Sequence, residues 1–220
     1  ANCRLPKRSL WYLSSGSDGR HNMDKNDVIE FWFGSDASDH EISQRQAALW
    51  WQKSPATDQL IRERFEPTLK ALLRGEYRQW LDSADGRLAA ILVLDQFSRN
   101  MYRDTAMAFT QDALALEWAL QGIRQGDDKA VRPIQRLFYY LPLEHAESDA
   151  MQQLCINKLQ QLCDDAPTSF RATAEGFLDF GQRHKDIIDR FGRFPHRNDL
   201  LNRPSSVEEL AFLQQPGSGF

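Results

Sequence analysis

Arg183-His184-Lys185-Asp186-Ile187-Ile188-Asp189-Arg190-Phe191-Gly192-Arg193-Phe194-Pro195-His196-Arg197-Asn198 reads as one helix and its exit turn. Phe177, Phe180, His184, Ile187, Ile188 and Phe191 recur at three- and four-residue steps, which places them on one stripe of a helix. Arg183, Lys185, Asp186, Asp189, Arg190 and Arg193 fall on the other side. The spacing predicts ion pairs Asp186–Arg190 and Asp189–Arg193, each worth about 0.3 kcal/mol on an exposed face. Gly192 is suited to the left-handed conformation that ends a helix, and Pro195 forbids continuation and keeps Phe194 extended. His196, Arg197 and Asn198 are thereby placed on a turn, where their side chains are free to converge.

The same period runs outward through the chain. Short, very apolar Val28–Phe33 stops at Gly34. A helix is predicted over 42–53, closed by Pro55, and another from Leu60 to Arg74, ended by Gly75. Leu88 to Leu94 is an unbroken apolar run and marks a central helix covered on most sides. Thr110–Arg124 is amphipathic and ends near Gly126; Ile134–Tyr140 is expected to stop at Pro142. Glu144–Cys163 reads as the next helix, Thr168 as the cap of the opening stretch, and Ser205 or Ser206 as the cap of a short last helix, Val207–Leu213. No period-two run is bounded by hairpin turns. The fold class is all-α, an irregular array of antiparallel helix pairs without a clean internal repeat.

The chain has 220 residues, the length of one ordinary domain, with 41% hydrophobic residues to form a core. Residues 1–22, rich in Ser, Gly and Arg, precede Met23 and read as a non-native or disordered leader, leaving 23–220 as one helical domain. The formal net charge of -4 argues against binding nucleic acid through bulk charge. Yet residues 183–203 carry six Lys/Arg against three Asp, a local excess of basic charge that suits a small anionic ligand or an acidic peptide end. Cys3, Cys155 and Cys163 are too few and too far apart for a disulfide framework or a cysteine zinc site, which fits the cytoplasm. Absence of a long apolar run argues against a membrane span.

Two further stretches are dense in chemistry. In Leu94-Asp95-Gln96-Phe97-Ser98-Arg99-Asn100, Asp95 continues the inward stripe and needs a cation, with Arg99 and Arg103 the local choices. In Tyr140-Leu141-Pro142-Leu143-Glu144-His145, a carboxylate adjoins an imidazole, a pairing that can prime proton transfer or simply complement a helix start. His184, on an apolar stripe, reads as a core histidine; His196, on the turn, is the better functional candidate. Glu144, His145, His184 and His196 lack HExxH or HxH spacing, so neither a metal site nor a cofactor is expected.

These two stretches and Arg190–Asn198 resemble motifs of the bacterial family DUF924, over roughly Asp27 to Leu213. The resemblance implies an all-helical fold similar to tetratricopeptide-type arrays and implies no settled activity. Where the family tends to have Pro, this chain has Ser98, which lets the helix run further.

The leading reading is a polar pocket that binds a small anion through Arg99, Arg193 and Arg197, oriented by Asp95, Glu144 and Asn198 and walled by Tyr140 and Phe194. An alternative is a hydrolase-type enzyme with His196 or His145, beside Glu144, as acid/base. A third is a purely structural, buried polar network.

Overall fold

The computed structural model describes residues 23–219; the 1–22 leader, with Cys3, lies outside them. All regular structure among the described residues is helical. Helix α1 (Lys25–Phe33) starts at the Asp24 capping box and ends at Gly34, whose φ of 75° most other residues adopt at a cost. Ser38 caps α2 (Asp39–Arg45) in the same way. The chain then breaks at Gln46 before α3 (Ala47–Trp51), so the single helix expected over 42–53 is two. Ser54 caps α4 (Pro55–Leu73). Pro55 therefore opens a helix rather than closing one, because its missing N–H falls where no helical bond is due.

The central helix is α5 (Ala84–Leu92), continued by a π turn (Val93–Phe97) and α6 (Ser98–Met101). Residues Leu88–Leu94 are buried on every side. α5 packs against α1, α7 (Asp112–Gln125) and α9 (Pro133–Glu144). The core next to it is aromatic: Phe65 and Phe97 rings lie 4.6 Å apart, Trp32 and Phe97 5.3 Å, Trp50 and Phe138 5.0 Å. Such pairs contribute about 1 kcal/mol each beyond their buried area.

After the short α8 (Asp127–Ala130), α9 carries Pro142 inside it and runs on to Glu144. The proline removes one helical hydrogen bond, but the surrounding residues are buried on all sides and packing holds the helix past it. Glu144 and His145 thus close α9 instead of opening the next helix. That helix, α10 (Asp149–Asp165), begins later and is joined through Ala166 and Pro167 to α11 (Thr168–Phe191). Thr168 is the first residue of α11 rather than its cap, a position Pro167 holds. The α10–α11 pair is the most extensive helix contact, and α9 touches both.

Gly192 ends α11 with φ 68°. A 3-10 turn (Pro195–Arg197) follows, then α12 (Val207–Leu213) under a Ser206 capping box. The ion pairs expected within α11 do not form. Arg193 instead reaches Glu209 at 2.7 Å, Arg190 reaches Glu208 at 2.9 Å, and Asp189 holds Lys185 at 2.6 Å. The carboxylates of α12 come close enough for both guanidinium nitrogens of Arg193, a better match than a single i,i+4 contact.

Candidate functional site

Four segments far apart in sequence meet at one polar cluster: the π turn, the first turn of α7, the end of α9 and the turn after α11. Asp95 sits in the π turn with its side chain 1% exposed. Widening the turn frees backbone acceptors: Ser98 Oγ donates to the Val93 carbonyl at 3.3 Å, and Arg99 Nη1 to that of Asp95 at 3.2 Å. The sequence reading that Ser98 lets the helix continue holds, since α6 runs on to Met101.

Asp95 Oδ1 lies 3.0 Å from Arg99 Nη1 and 2.7 Å from His145 Nδ1, and Gln96 donates to Oδ2 at 2.6 Å. Arg103, the other local candidate, turns away to Asp58. Arg99 also makes a two-pronged bond to Asp112 at 2.8 and 3.0 Å. Burial acts to raise the Asp95 pKa, but Arg99 and His145 outweigh it and hold the carboxyl well below its usual range. His145 is pushed down by burial and by Arg99, which together exceed the pull of Asp95, so the imidazole is neutral at pH 7. An ionised Asp95 only accepts, so His145 Nδ1 carries the hydrogen that bonds it.

Arg197 enters from the turn. Its guanidinium lies 4.5 Å from the Phe194 ring and 4.8 Å from the Phe109 ring. Nη1 donates to the His145 carbonyl at 3.0 Å and lies 3.6 Å from Asp112. Nε is buried and has no hydrogen-bond partner among the described residues. Burial, then the charge of Arg99, lowers the Arg197 pKa to about 10. The turn is clamped from outside the cluster: Glu147 accepts from the Phe194 N–H at 2.8 Å and pairs with Arg203 at 2.6 Å.

Behind this layer, Glu144 lies 3.3 Å from His184 Nδ1, which also faces the Phe180 carbonyl at 3.1 Å. Burial, with a contribution from Asp95, raises Glu144 to about 8, so it is protonated at neutral pH. Burial holds His184 down to about 3. His196 is lowered to about 4, mainly by burial and then by Arg197. As the sequence suggested, His184 is a core residue; His196 adjoins the cluster with its ring 5.8 Å from that of Phe194.

Three sequence candidates are not brought into the cluster. Arg193 is committed to Glu209 and to the Pro204 carbonyl. The Tyr140 hydroxyl donates to Asp128 at 2.9 Å and accepts from Arg136 at 3.2 Å, which commits it elsewhere. Asn198 is buried and holds the turn together through Ser205 and Arg203. Conversely, Asp112 and Phe109 were not singled out in the sequence. An acidic residue in the first turn of a helix is ordinarily a partner for the helix dipole, and nothing local marks Asp112 as facing Arg99.

Among the described residues no group of His, Cys, Asp and Glu is arranged to hold a metal ion. None of the helices described is long and apolar enough to cross a membrane. A shallow hollow bordered by Asp36, Glu41, Gln44 and Arg45 lies elsewhere and includes no residue of the cluster.

The arrangement defines an all-helical protein whose sequence motifs converge on one buried acid–imidazole–guanidinium cluster. Residues 28–217 match the family described as "Bacterial protein of unknown function (DUF924)", and the chain belongs to it. A solved protein of unknown function from Agrobacterium tumefaciens is similar, with 36% identity and a TM-score of 0.73 over 86% of this chain and 96% of that one. No curated protein matches the chain.

Proposed function

We propose that the cluster binds a small anionic ligand through its carboxylate or phosphate group, with Arg197 as the principal contact. The observation that carries this reading is Arg197 itself. Its buried Nε lacks a partner, its plane is held between two phenyl rings, and Arg99 beside it adds repulsion that a bound anion relieves. Arg99 is a secondary contact, since Asp95 and Asp112 already engage it. Arg193 has no part in the site. Cys155 and Cys163 are both free and buried, which suits a reducing compartment, and the cytoplasm is the location that goes with this reading.

Thermal unfolding tests it. Millimolar phosphate or succinate raises the melting midpoint beyond the effect of chloride at equal ionic strength. Arg197→Met, which keeps the contact with both rings, abolishes that increment, while Arg193→Met retains it. His196 adds nothing to the increment from pH 8 to 5.5, because it takes up its proton only near its pKa of about 4. Equal effects of chloride and both test anions on the parent protein would remove the anion site.

A further inference from the structure

A site that only holds an anion needs cations and donors. This one also contains a carboxylate–imidazole contact, Asp95 Oδ1 to His145 Nδ1 at 2.7 Å, at its half-open side. The bond fixes the ring and its tautomer. Nε2, on the far side of the ring, therefore carries the lone pair. The His145 side chain is 14% exposed while Asp95 is 1% exposed, so the imidazole is the member of the pair that solvent reaches.

We infer that Asp95 and His145 form an acid–base dyad that hydrolyses an ester bond in a small carboxylate-bearing substrate, with Asp95 the positioning residue and His145 Nε2 the atom that exchanges the proton. The anchoring of that substrate rests on the anion reading of Arg197; the proton chemistry does not. Water is the second reactant. Nε2 takes a proton from water as the water oxygen bonds to the acyl carbon, and the carbonyl electron pair moves onto its oxygen. The tetrahedral anion then re-forms the carbonyl and breaks the bond to the leaving oxygen, which takes the proton back from Nε2. The products are two fragments, an acid and an alcohol, and His145 ends neutral, as it began.

The surroundings suit this cycle. Burial and Arg99 keep the resting imidazole neutral, Asp95 and Asp112 compensate the imidazolium formed in passing, and the protonated Glu144 beside His184 adds no charge behind it. The same chemistry favours His145 over His196. Asp95 orients the His145 ring at 2.7 Å, whereas burial and then Arg197 lower His196 to about 4 and make it a weak base.

The test uses the described protein with two chromogenic esters, neutral 4-nitrophenyl acetate and anionic mono-4-nitrophenyl succinate. The parent hydrolyses at least one of them at least tenfold faster than His145→Gln. Its rate rises with pH to a plateau through a midpoint below the 6.5 usual for histidine. Asp95→Asn lowers the plateau and moves the midpoint further down, because the carboxylate that supports protonation is gone; a merely structural Asp95 would leave the midpoint in place. Equal rates for the parent and His145→Gln on both esters overturn the dyad. If the parent is active but has the same KM for both esters, the anion reading fails and the dyad stands. Should His145→Gln not fold, long-range proton–nitrogen NMR of the parent decides: the hydrogen on Nδ1 at pH 7 supports the dyad, and the hydrogen on Nε2 overturns it.

Discussion

Two arginines, Arg87 and Arg197, are both buried within one small protein, and they are used in opposite ways. Arg87 is bonded at every nitrogen: Nε bonds Asp127 at 2.8 Å, Nη1 bonds Gln121 at 3.0 Å, and Nη2 bonds the Leu81 carbonyl at 2.6 Å and Gln125 at 2.9 Å. Gly122 makes room for it, since a Cβ there would sit 2.6 Å from Arg87 Cδ. Arg197 has one hydrogen bond, an orphaned Nε and two aromatic faces. A buried cation with all three nitrogens bonded is an internal brace between α5, α7 and α8. A buried cation left short of acceptors is held ready for something from outside. Burial alone does not separate the two cases, and counting acceptors does.

Substitution with an isosteric apolar residue puts the contrast to the strongest test. Arg87→Met strands Asp127, two glutamines and a carbonyl, and costs about 3–5 kcal/mol in urea unfolding. Arg197→Met keeps its ring contacts and removes an under-compensated charge, so it costs about 1 kcal/mol or less. Comparable losses would make Arg197 a brace like Arg87 and remove the contrast.

A smaller effect is expected at Asp95. Asp95→Asn keeps part of the hydrogen bonding but leaves Arg99 and His145 without their charge partner, at about 1–3 kcal/mol at pH 7. The folded pKa of Asp95 lies below its unfolded value of 3.8, so its contribution is present above that pH and is lost as pH falls through the folded value. The difference between parent and variant therefore narrows below about pH 4. A difference that does not change with pH would mean that shape rather than charge is at work.

Glu144 carries the comparison into the neutral pH range. Its folded pKa of about 8 exceeds the usual 4.5, so the folded chain keeps a proton that the unfolded chain releases. That contribution is complete below pH 4.5 and is lost as pH rises to about 8. Glu144→Gln mimics the protonated form, and its melting midpoint gains on the parent through this window and then levels off. A constant offset would show Glu144 to be ionised throughout.

Helical character, the central position of Leu88–Leu94 and the partnership of Asp95 with Arg99 were legible in the sequence because each rests on short-range periodicity. What was not legible depends on tertiary packing. Pro142 reads locally as a stop, but a helix buried on all sides continues past it. Arg193 reads as part of a basic site, but α12 supplies Glu209. Tyr140 lies one turn from Glu144, and only the packing of α9 sends its hydroxyl to Asp128 instead. Asp112 had no signal at all, because its partner Arg99 lies on another helix.

The π turn from Val93 to Phe97 changes the phase of the helix it interrupts. One residue too many in a turn advances everything after it by about 100°. Upstream, Leu88 to Leu92 keep the phase of the core; downstream, Arg99 faces Asp112 while Asn100 and Arg103 face Asp58. In genetic terms, loss of a single codon within the turn would leave the core half untouched and re-aim the other half as a block.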